Sequence, residues 1–254
     1  MDEKITQLEE KIAKLEAYID RVHAAQECAN LMGRYLFYHS AFRHKEYCEL
    51  WADRDDCILE MPTATFVGKK GVEHCYLKCH PDRDDPGQRE GGLKGAMMIH
   101  TCTTPVIEVA DDGMTARGVW ISPGLETKKS FFEDKYEGTW AWSKYGVDFI
   151  KENGVWKFWH LHLYGVFITP YDTCWTEAEP YGKKKAIPEE MLGKAGMPPK
   201  VEKSEYERPM QIPTWSYTTD SVYPAYQPDP PVKYESYDDF KTVPFVGAGQ
   251  IEIG

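Results

Sequence analysis

A chain of 254 residues with 42% hydrophobic and 13% aromatic residues can bury one substantial core, and its composition does not require a second domain. Its formal net charge of −11 argues against a nucleic-acid partner, because no stretch dense in Lys and Arg offsets it. The charged N-terminus and the lack of a long apolar run argue against secretion and membrane insertion, so we expect a cytoplasmic protein.

The first segment, residues 1–24, carries apolar residues at alternating intervals of three and four. This spacing places a narrow stripe along one side of a helix and is typical of helices that pair with each other. The stripe consists of Ile5, Leu8, Ile12, Leu15, Ile19 and Val22. We predict that residues 1–24 form a helical extension that joins the chain into a dimer or trimer. The alternative is that the stripe packs on its own domain.

The helical pattern continues after residue 24 through Leu31, Tyr35, Tyr38 and Phe42. Tyr35 and His39 are four residues apart, so they lie on one face of the helix, one turn from each other. A phenol and an imidazole on the buried side of a helix suit proton transfer. The alternatives are ordinary core packing for the tyrosine and a surface position for the histidine.

After Trp51 the sequence predicts a strand at residues 57–61, a helix at residues 68–80 and a polar loop at residues 82–92. The helix ends in a cluster of His74, Cys75, Cys79 and His80, which could in principle hold zinc. No second cysteine pair lies at a suitable spacing, so inward-turned cysteines on an amphipathic helix are the favoured interpretation. The seven cysteines are odd in number and scattered, which indicates reduced thiols. We predict neither a metal nor a cofactor.

Four long strands are predicted in the second half of the domain, and glycine-containing turns separate them in two places. The turns are Asp111-Asp112-Gly113 and Glu152-Asn153-Gly154, where glycine can take the positive φ that a hairpin needs. The predicted strands are Met98–Val109, Thr115–Ser122, Thr139–Lys151 and Val155–Ile168. We therefore expect antiparallel neighbours and an α+β layer arrangement.

Alternation along these strands suggests which side chains share a face. His100 would share a face with Cys102, Thr104 and Val106, in a position to act as an acid or base. Trp140 and Trp142 occupy one face of their strand, and Tyr145, Val147 and Phe149 the other. His160 and His162 would share a face of their strand with Phe158 and Tyr164. The alternation leaves open which of these faces lines a cavity and which forms an interface.

Residues 171–254 differ in composition from the rest of the chain, with most of its prolines, half of its tyrosines and little apolar periodicity. They do not form a second core. Their aromatic side chains are too costly to leave in water, so we predict an extended arm laid across the domain or across a neighbouring subunit.

Several short motifs resemble SnoaL-like members of the nuclear-transport-factor-2-like superfamily, over about residues 3–168. The motifs are Arg34-Tyr35-Leu36-Phe37, Trp51, Met98-Ile99-His100, Gly118-Val119-Trp120 and the hairpin around Gly154. The resemblance implies a domain at residues 25–170, built as a cone-shaped, curved antiparallel sheet closed by helices around a deep apolar pocket. The superfamily includes dehydratases, isomerases, aromatic formaldehyde lyases and non-catalytic binding proteins.

Within the superfamily the pattern is most similar to bile-acid 7α-dehydratase, whose helix motif falls on Arg34-Tyr35-Leu36 and whose histidine falls on His100. Two positions depart from that enzyme: its acidic helix residue falls near Ser40 and its basic strand residue falls at Gly165. From the residues and the resemblance together we predict that Tyr35, His100 and His39 are catalytic. The predicted substrate-binding residues are Trp51, Trp120, Tyr145, His162 and Asp55.

These observations predict a cofactor-independent lyase that eliminates water or formaldehyde from a hydroxylated aromatic or polycyclic, steroid-like substrate by acid/base catalysis in an apolar pocket. The partners expected are a hydrophobic small molecule and a second copy of the chain. An isomerase of similar substrates is one alternative. A non-catalytic binding protein, such as the small subunit of a ring-hydroxylating dioxygenase, is another.

Overall fold

A computed structural model of the chain describes residues 2–62, 64–85, 93–130, 134–178, 188–191, 201, 203–209, 216–220, 222 and 228–237. The helices in these ranges are α1 (Asp2–Ser40), α2 (His44–Cys48), α3 (Gly68–Lys78) and two short 3-10 turns at Trp175–Glu177 and Glu189–Met191. The strands are β1 (Ile58–Met61), β2 (Ala64–Val67), β3 (Met97–His100), β4 (Thr103–Val109), β5 (Thr115–Lys129), β6 (Tyr136–Glu152), β7 (Val155–Pro170) and β8 (Glu207–Arg208). None of the helices in the described ranges is both long and apolar enough to cross a bilayer.

The eight strands found in the described residues form one curved sheet in the order β3-β5-β6-β7-β1-β2-β8, and β4 also pairs with β5. All neighbours are antiparallel except β1 and β7, which are parallel. The long central strands β5, β6 and β7 contribute 15, 17 and 16 residues. The predicted α+β class is therefore confirmed at this level.

Both predicted hairpins are present, and each depends on residues with positive φ. Asn153 and Gly154 have φ values of 52° and 82°, and they connect the paired residues Glu152 and Val155 of β6 and β7. This is the conformation that an Asn-Gly sequence favours in two-residue turns. Gly113, with φ of 69°, lies in the turn between β4 and β5.

The prediction of a single strand at residues 98–109 is wrong. The chain leaves the edge of β5 after His100, and β3 and β4 pair with successive parts of β5. A shift in register between Thr103 and Val106 and a positive φ of 50° at Thr104 accompany the break. The side chains from His100 to Val106 therefore do not share the face of one continuous strand.

The parity predicted for β7 is also wrong at one point. The partners of Asp148 and Phe149 are His160 and Phe158, so Trp159 is an extra residue in β7. A β-bulge of this kind reverses the alternation of side chains. Phe158 consequently packs in the main core, whereas His160 faces the other side of the sheet.

The main core lies between the inner face of the sheet and the second half of α1. Tyr35 and Met32 are buried there against side chains of the sheet that include Phe149 and Phe158. The opposite face carries a buried charged cluster in which Asp148 lies 2.9 Å from Arg117 Nε and 2.9 Å from His160 Nδ1. The long central sheet thus has an apolar inner face and a partly polar outer face.

Parts of the C-terminal arm lie against the domain of their own chain. The backbone amide of Asp111 donates to the carbonyl of Tyr234, and the amide of Tyr217 donates to the carbonyl of Val166. The ring of Tyr237 packs on Trp159 with centroids 4.4 Å apart. Among the described stretches, the arm therefore covers the outer face of the sheet around the charged cluster.

The apolar stripe of α1 is exposed in the single chain, with 48–61% of each stripe residue accessible. We propose that the stripe joins two or three copies of the chain, because burying one large apolar side chain contributes about 1.5–3 kcal/mol. Replacing Leu8 and Leu15 together with Glu should dissociate the oligomer in a sedimentation experiment.

The matched control replaces Gln7 and Lys14 with Glu, because these positions lie on the opposite side of the same helix. This pair should leave the assembly unchanged. An oligomer that survives Leu8→Glu and Leu15→Glu would exclude the stripe as the interface.

Candidate active site

A cavity of about 430 Å³ opens between the helices and the inner face of the sheet. Its volume lies in the range typical of small-molecule sites. Apolar side chains from β1, β2, β3 and β7 form part of the wall. The polar residues that line it are Tyr35, His39, His80, His100, Glu126, Ser143, Tyr145 and Glu207. The cavity therefore combines an apolar wall with several groups that can exchange protons.

His100 and Glu126 form a pair on one wall of the cavity. The side chain of His100 is 9% exposed, and its Nε2 lies 3.4 Å from Oε1 of Glu126. The imidazole lies over Gly124, its partner on β5, where a Cβ atom would stand 2.3 Å from His100 Nδ1. Only glycine leaves room for this ring, so the backbone of β5 helps to position the pair.

Tyr35 presents its hydroxyl to the cavity within a group of buried tyrosines. Tyr35 Oη lies 3.2 Å from Tyr145 Oη and 3.4 Å from Tyr76 Oη. Burial raises the pKa of Tyr35 to about 12, although the hydrogen bonds with Tyr145 and Tyr76 lower it in part. The phenol therefore stays protonated at neutral pH, and it can act as a hydrogen-bond donor.

Four histidines lie close together at this end of the domain. The ring centroid of His39 is 5.4 Å from that of His44, 5.9 Å from that of His80 and 5.8 Å from that of His100. His39 Nδ1 and His44 Nε2 are 3.3 Å apart. Burial, and then the neighbouring His80, His44 and His100, hold the pKa of His39 well below 6.5. His39 is therefore neutral at physiological pH.

The cysteine and histidine cluster of α3 contributes only in part to this region. Cys75 is buried, Cys79 is exposed, and both thiols are free. His80 Nδ1 lies 2.8 Å from the carbonyl oxygen of Cys75. Within the residues that the structure describes, no group of three or more His, Cys, Asp or Glu side chains is arranged to hold a metal ion.

The buried histidines make stability depend on pH. Burial, followed by the charge of His80, lowers the pKa of His44 from 6.5 to about 3. Below pH 6.5 the unfolded chain binds a proton at His44 that the folded chain does not, so acid favours unfolding. The free energy of unfolding should fall by up to about 1.4 kcal/mol per pH unit for this one residue, with the full slope reached about one pH unit below 6.5. Urea denaturation of wild type and His44→Gln between pH 7 and pH 5 measures the difference in slope.

His23 provides the matched control for this pH experiment, because its side chain is 72% exposed on α1. His23→Gln should show the wild-type dependence of stability on pH. If His44→Gln also keeps the full wild-type slope, His44 is not the group that the folded chain holds neutral.

Of the five predicted substrate-binding residues, Tyr145 lines the cavity. Trp51 is buried in the core against Phe158, and Trp120 is buried against Phe149. Neither of these tryptophans is among the described residues that line the cavity. Asp55 is exposed in the loop before β1 and is also not part of the lining.

His162 lies on the opposite side of the sheet from the cavity. Its partner in β6 is Gly146, the neighbour of Tyr145, so His162 and Tyr145 point to opposite faces. The His162 ring stacks on Tyr164 with centroids 3.8 Å apart. The face of β6 that carries Trp140 and Trp142 is also the outer one, and Trp142 stacks there on Phe167.

Sequence reasoning missed Glu126, His80 and Glu207 as lining residues of the cavity. Glu126 lies two residues beyond Gly124, the partner of His100, and therefore on the same face of the sheet. This alternation could not be used because the sequence predicts that β5 ends at Ser122, whereas the strand continues to Lys129. Glu207 belongs to the arm, whose strand β8 carries no recognisable pattern of its own.

A family model described as a SnoaL-like domain matches residues 20–162. Among solved structures, a scytalone dehydratase-like protein from Novosphingobium aromaticivorans is 17% identical, with a TM-score of 0.43, over 63% of this chain and 94% of that one. A hexachlorocyclohexane dehydrochlorinase from Novosphingobium barchaimii is 17% identical, with a TM-score of 0.45, over 61% and 95%.

A nuclear-transport-factor-2-like protein from Salmonella enterica is 16% identical, with a TM-score of 0.43, over 62% of this chain and 99% of that one. At these identities and TM-scores, the structural matches give no information on reaction or substrate. No curated protein matches the chain.

Proposed function

Because the chain belongs to the SnoaL-like domain family, we propose that it is a cofactor-independent lyase that eliminates water or formaldehyde from a hydroxylated aromatic or polycyclic substrate. One observation carries the proposal: the His100–Glu126 pair and the protonated hydroxyl of Tyr35 line the same cavity. Elimination needs a base for the departing proton and a donor for the departing oxygen.

His100 is the proposed base. It accepts the substrate proton at Nε2, and the carboxylate of Glu126 stabilises the imidazolium that forms. The separation of 3.4 Å between Nε2 and Oε1 is longer than a tight charge-assisted hydrogen bond. For dehydration, the electrons of the broken C–H bond form the double bond as the neighbouring C–O bond breaks.

Tyr35 is the proposed donor to the oxygen that leaves or becomes negative. Its hydroxyl is held by Tyr145 and Tyr76, which fixes its direction before the substrate arrives. A donor oriented in advance in an apolar cavity stabilises developing negative charge more strongly than water does. The high pKa of Tyr35 keeps the proton available at neutral pH.

His39 has a positioning role in this proposal. Its ring lies 5.6 Å from Tyr35 and 5.8 Å from His100, between the proposed donor and the proposed base. Because its pKa is held well below 6.5, His39 is a weak base and a poor acceptor for the substrate proton. Its proposed role is to pack against Tyr35 and His100 and so to hold their relative positions.

An isomerase would use the same base but would return the proton to the substrate, with no leaving oxygen. A protonated Tyr35 beside the His100–Glu126 pair would serve either reaction, because it can stabilise a departing oxygen or the negative oxygen of an enolate.

The test is incubation of the protein with a panel of hydroxylated aromatics and steroids, followed by mass spectrometry. We expect a product lighter than its substrate by one water or one formaldehyde. A product of unchanged mass would identify an isomerase. Tight binding of panel members without any product would identify a binding protein and would contradict the proposed function.

A further inference from the structure

The C-terminal arm places one carboxylate at the cavity. Strand β8 pairs with β2, and Glu207 is the partner of Phe66. Paired residues in antiparallel strands share a face, and Phe66 itself lines the cavity. Arg208, the next residue, pairs with Thr65 and points to the opposite face. The register of β8 therefore directs an acidic side chain inward and a basic one outward.

Several contacts hold β8 in this register. The amide of Val67 donates to the carbonyl of Tyr206 at 2.9 Å, and the hydroxyl of Thr65 donates to the carbonyl of Pro209 at 3.2 Å. Tyr206 packs so closely on Gly71 that a Cβ there would stand 3.2 Å from it. Glu207 is thus fixed by contacts on both sides rather than carried on a loose loop.

The Glu207 carboxylate has no hydrogen bond or ion pair with any residue in the described part of the chain. Cys79 also lines the cavity, and the negative charge of Glu207 adds to burial in raising the pKa of its thiol. A half-buried carboxylate at the edge of a cavity, with no hydrogen bond from the described residues, is suited to receive a hydrogen bond from a ligand.

The Asp, Glu, Lys and Arg side chains that line the cavity, among the residues that the structure describes, are all acidic. Glu126 and Glu207 are its acidic residues, and no Lys or Arg is among the described residues that line it. We propose that Glu207 binds a hydroxyl group of a neutral substrate and that the cavity excludes molecules bearing a carboxylate. The substrate class is therefore neutral aromatic or polycyclic alcohols and phenols. This inference rests on the proposed function only in taking the cavity to be the substrate site.

The experiment compares the binding of 2-naphthol and 2-naphthoate to the full chain by calorimetry at pH 7. The two probes share a ring system and differ in charge. Wild type should bind 2-naphthol more tightly. In Glu207→Gln the preference for 2-naphthol over 2-naphthoate should fall by roughly tenfold. The hydrogen bond from 2-naphthol to a charged group becomes a bond to a neutral one, and the repulsion between the carboxylate of 2-naphthoate and Glu207 is lost.

Glu205→Gln is the matched control, since it removes the same charge from an exposed position two residues away on the same arm. It should keep the wild-type preference. A wild type that prefers 2-naphthoate would overturn the inference, and so would an equal change in both variants or an unchanged preference in Glu207→Gln. Because binding is measured without turnover, these outcomes are independent of whether the panel yields an elimination product.

Discussion

Replacing His100 with Ala is expected to lower turnover by about 10²–10⁴-fold, the range that follows the loss of a positioned acid or base. His100 is the imidazole that faces a carboxylate across the cavity wall, at 3.4 Å from Glu126. Without it, water must remove the substrate proton. The measurement is kcat on the substrate identified from the panel, with folding checked by circular dichroism.

Glu126→Gln gives a graded comparison, because it keeps the shape of the side chain and removes the charge that stabilises the imidazolium. Its turnover should fall less than that of His100→Ala. His23→Ala, on the exposed part of α1, should have no effect. Wild-type rates in His100→Ala across pH 5 to 9 would contradict the assignment. The base would then be sought at His39, because His162 lies on the other face of the sheet.

Tyr35→Phe is expected to lower kcat by about 10²–10³-fold, which is typical of removing one donor to a developing negative charge. The affinity for substrate should change little, since the lost hydrogen bond strengthens mainly in the transition state. The ring itself remains, so its packing against Tyr47 and Phe158 is retained. Steady-state kinetics that separate kcat from KM measure the effect.

Tyr47→Phe is the matched control, because Tyr47 is buried in the same tyrosine group but does not line the cavity. It should turn over at nearly the wild-type rate. If Tyr35→Phe raises KM and leaves kcat unchanged, then Tyr35 binds the substrate and is not the catalytic donor. If the two variants lose activity equally, packing of the tyrosines, and not the position of one hydroxyl, sets the rate.

The parts of the fold that were predictable depend on short-range patterns. The helical spacing around Tyr35 and His39 places both residues on the cavity side of α1, and the Asn153-Gly154 turn sets the β6–β7 hairpin. Each of these features is determined within a few residues of sequence, by helix geometry or by a residue's tolerance of positive φ.

What sequence reasoning missed depends on pairing between distant strands. One extra residue, Trp159, turns His160 to the outer face, and no local pattern marks a bulge at that residue. The His100–Glu126 pair needs the register between β3 and β5, and the Glu207 site needs the pairing of a two-residue strand from the arm with β2. Such registers follow from packing of the whole sheet, which a single sequence does not reveal.

Soaking a crystal of the protein with naphthalene-2,6-diol tests most directly whether Tyr35 and His100 act on one substrate in one cavity. We expect the rings to lie inside the cavity, with a hydroxyl oxygen within hydrogen-bonding reach, about 2.6–3.2 Å, of Tyr35 Oη or His100 Nε2. A diol bound elsewhere on the protein while the cavity stays empty, or one in the cavity that contacts neither residue, would contradict this expectation.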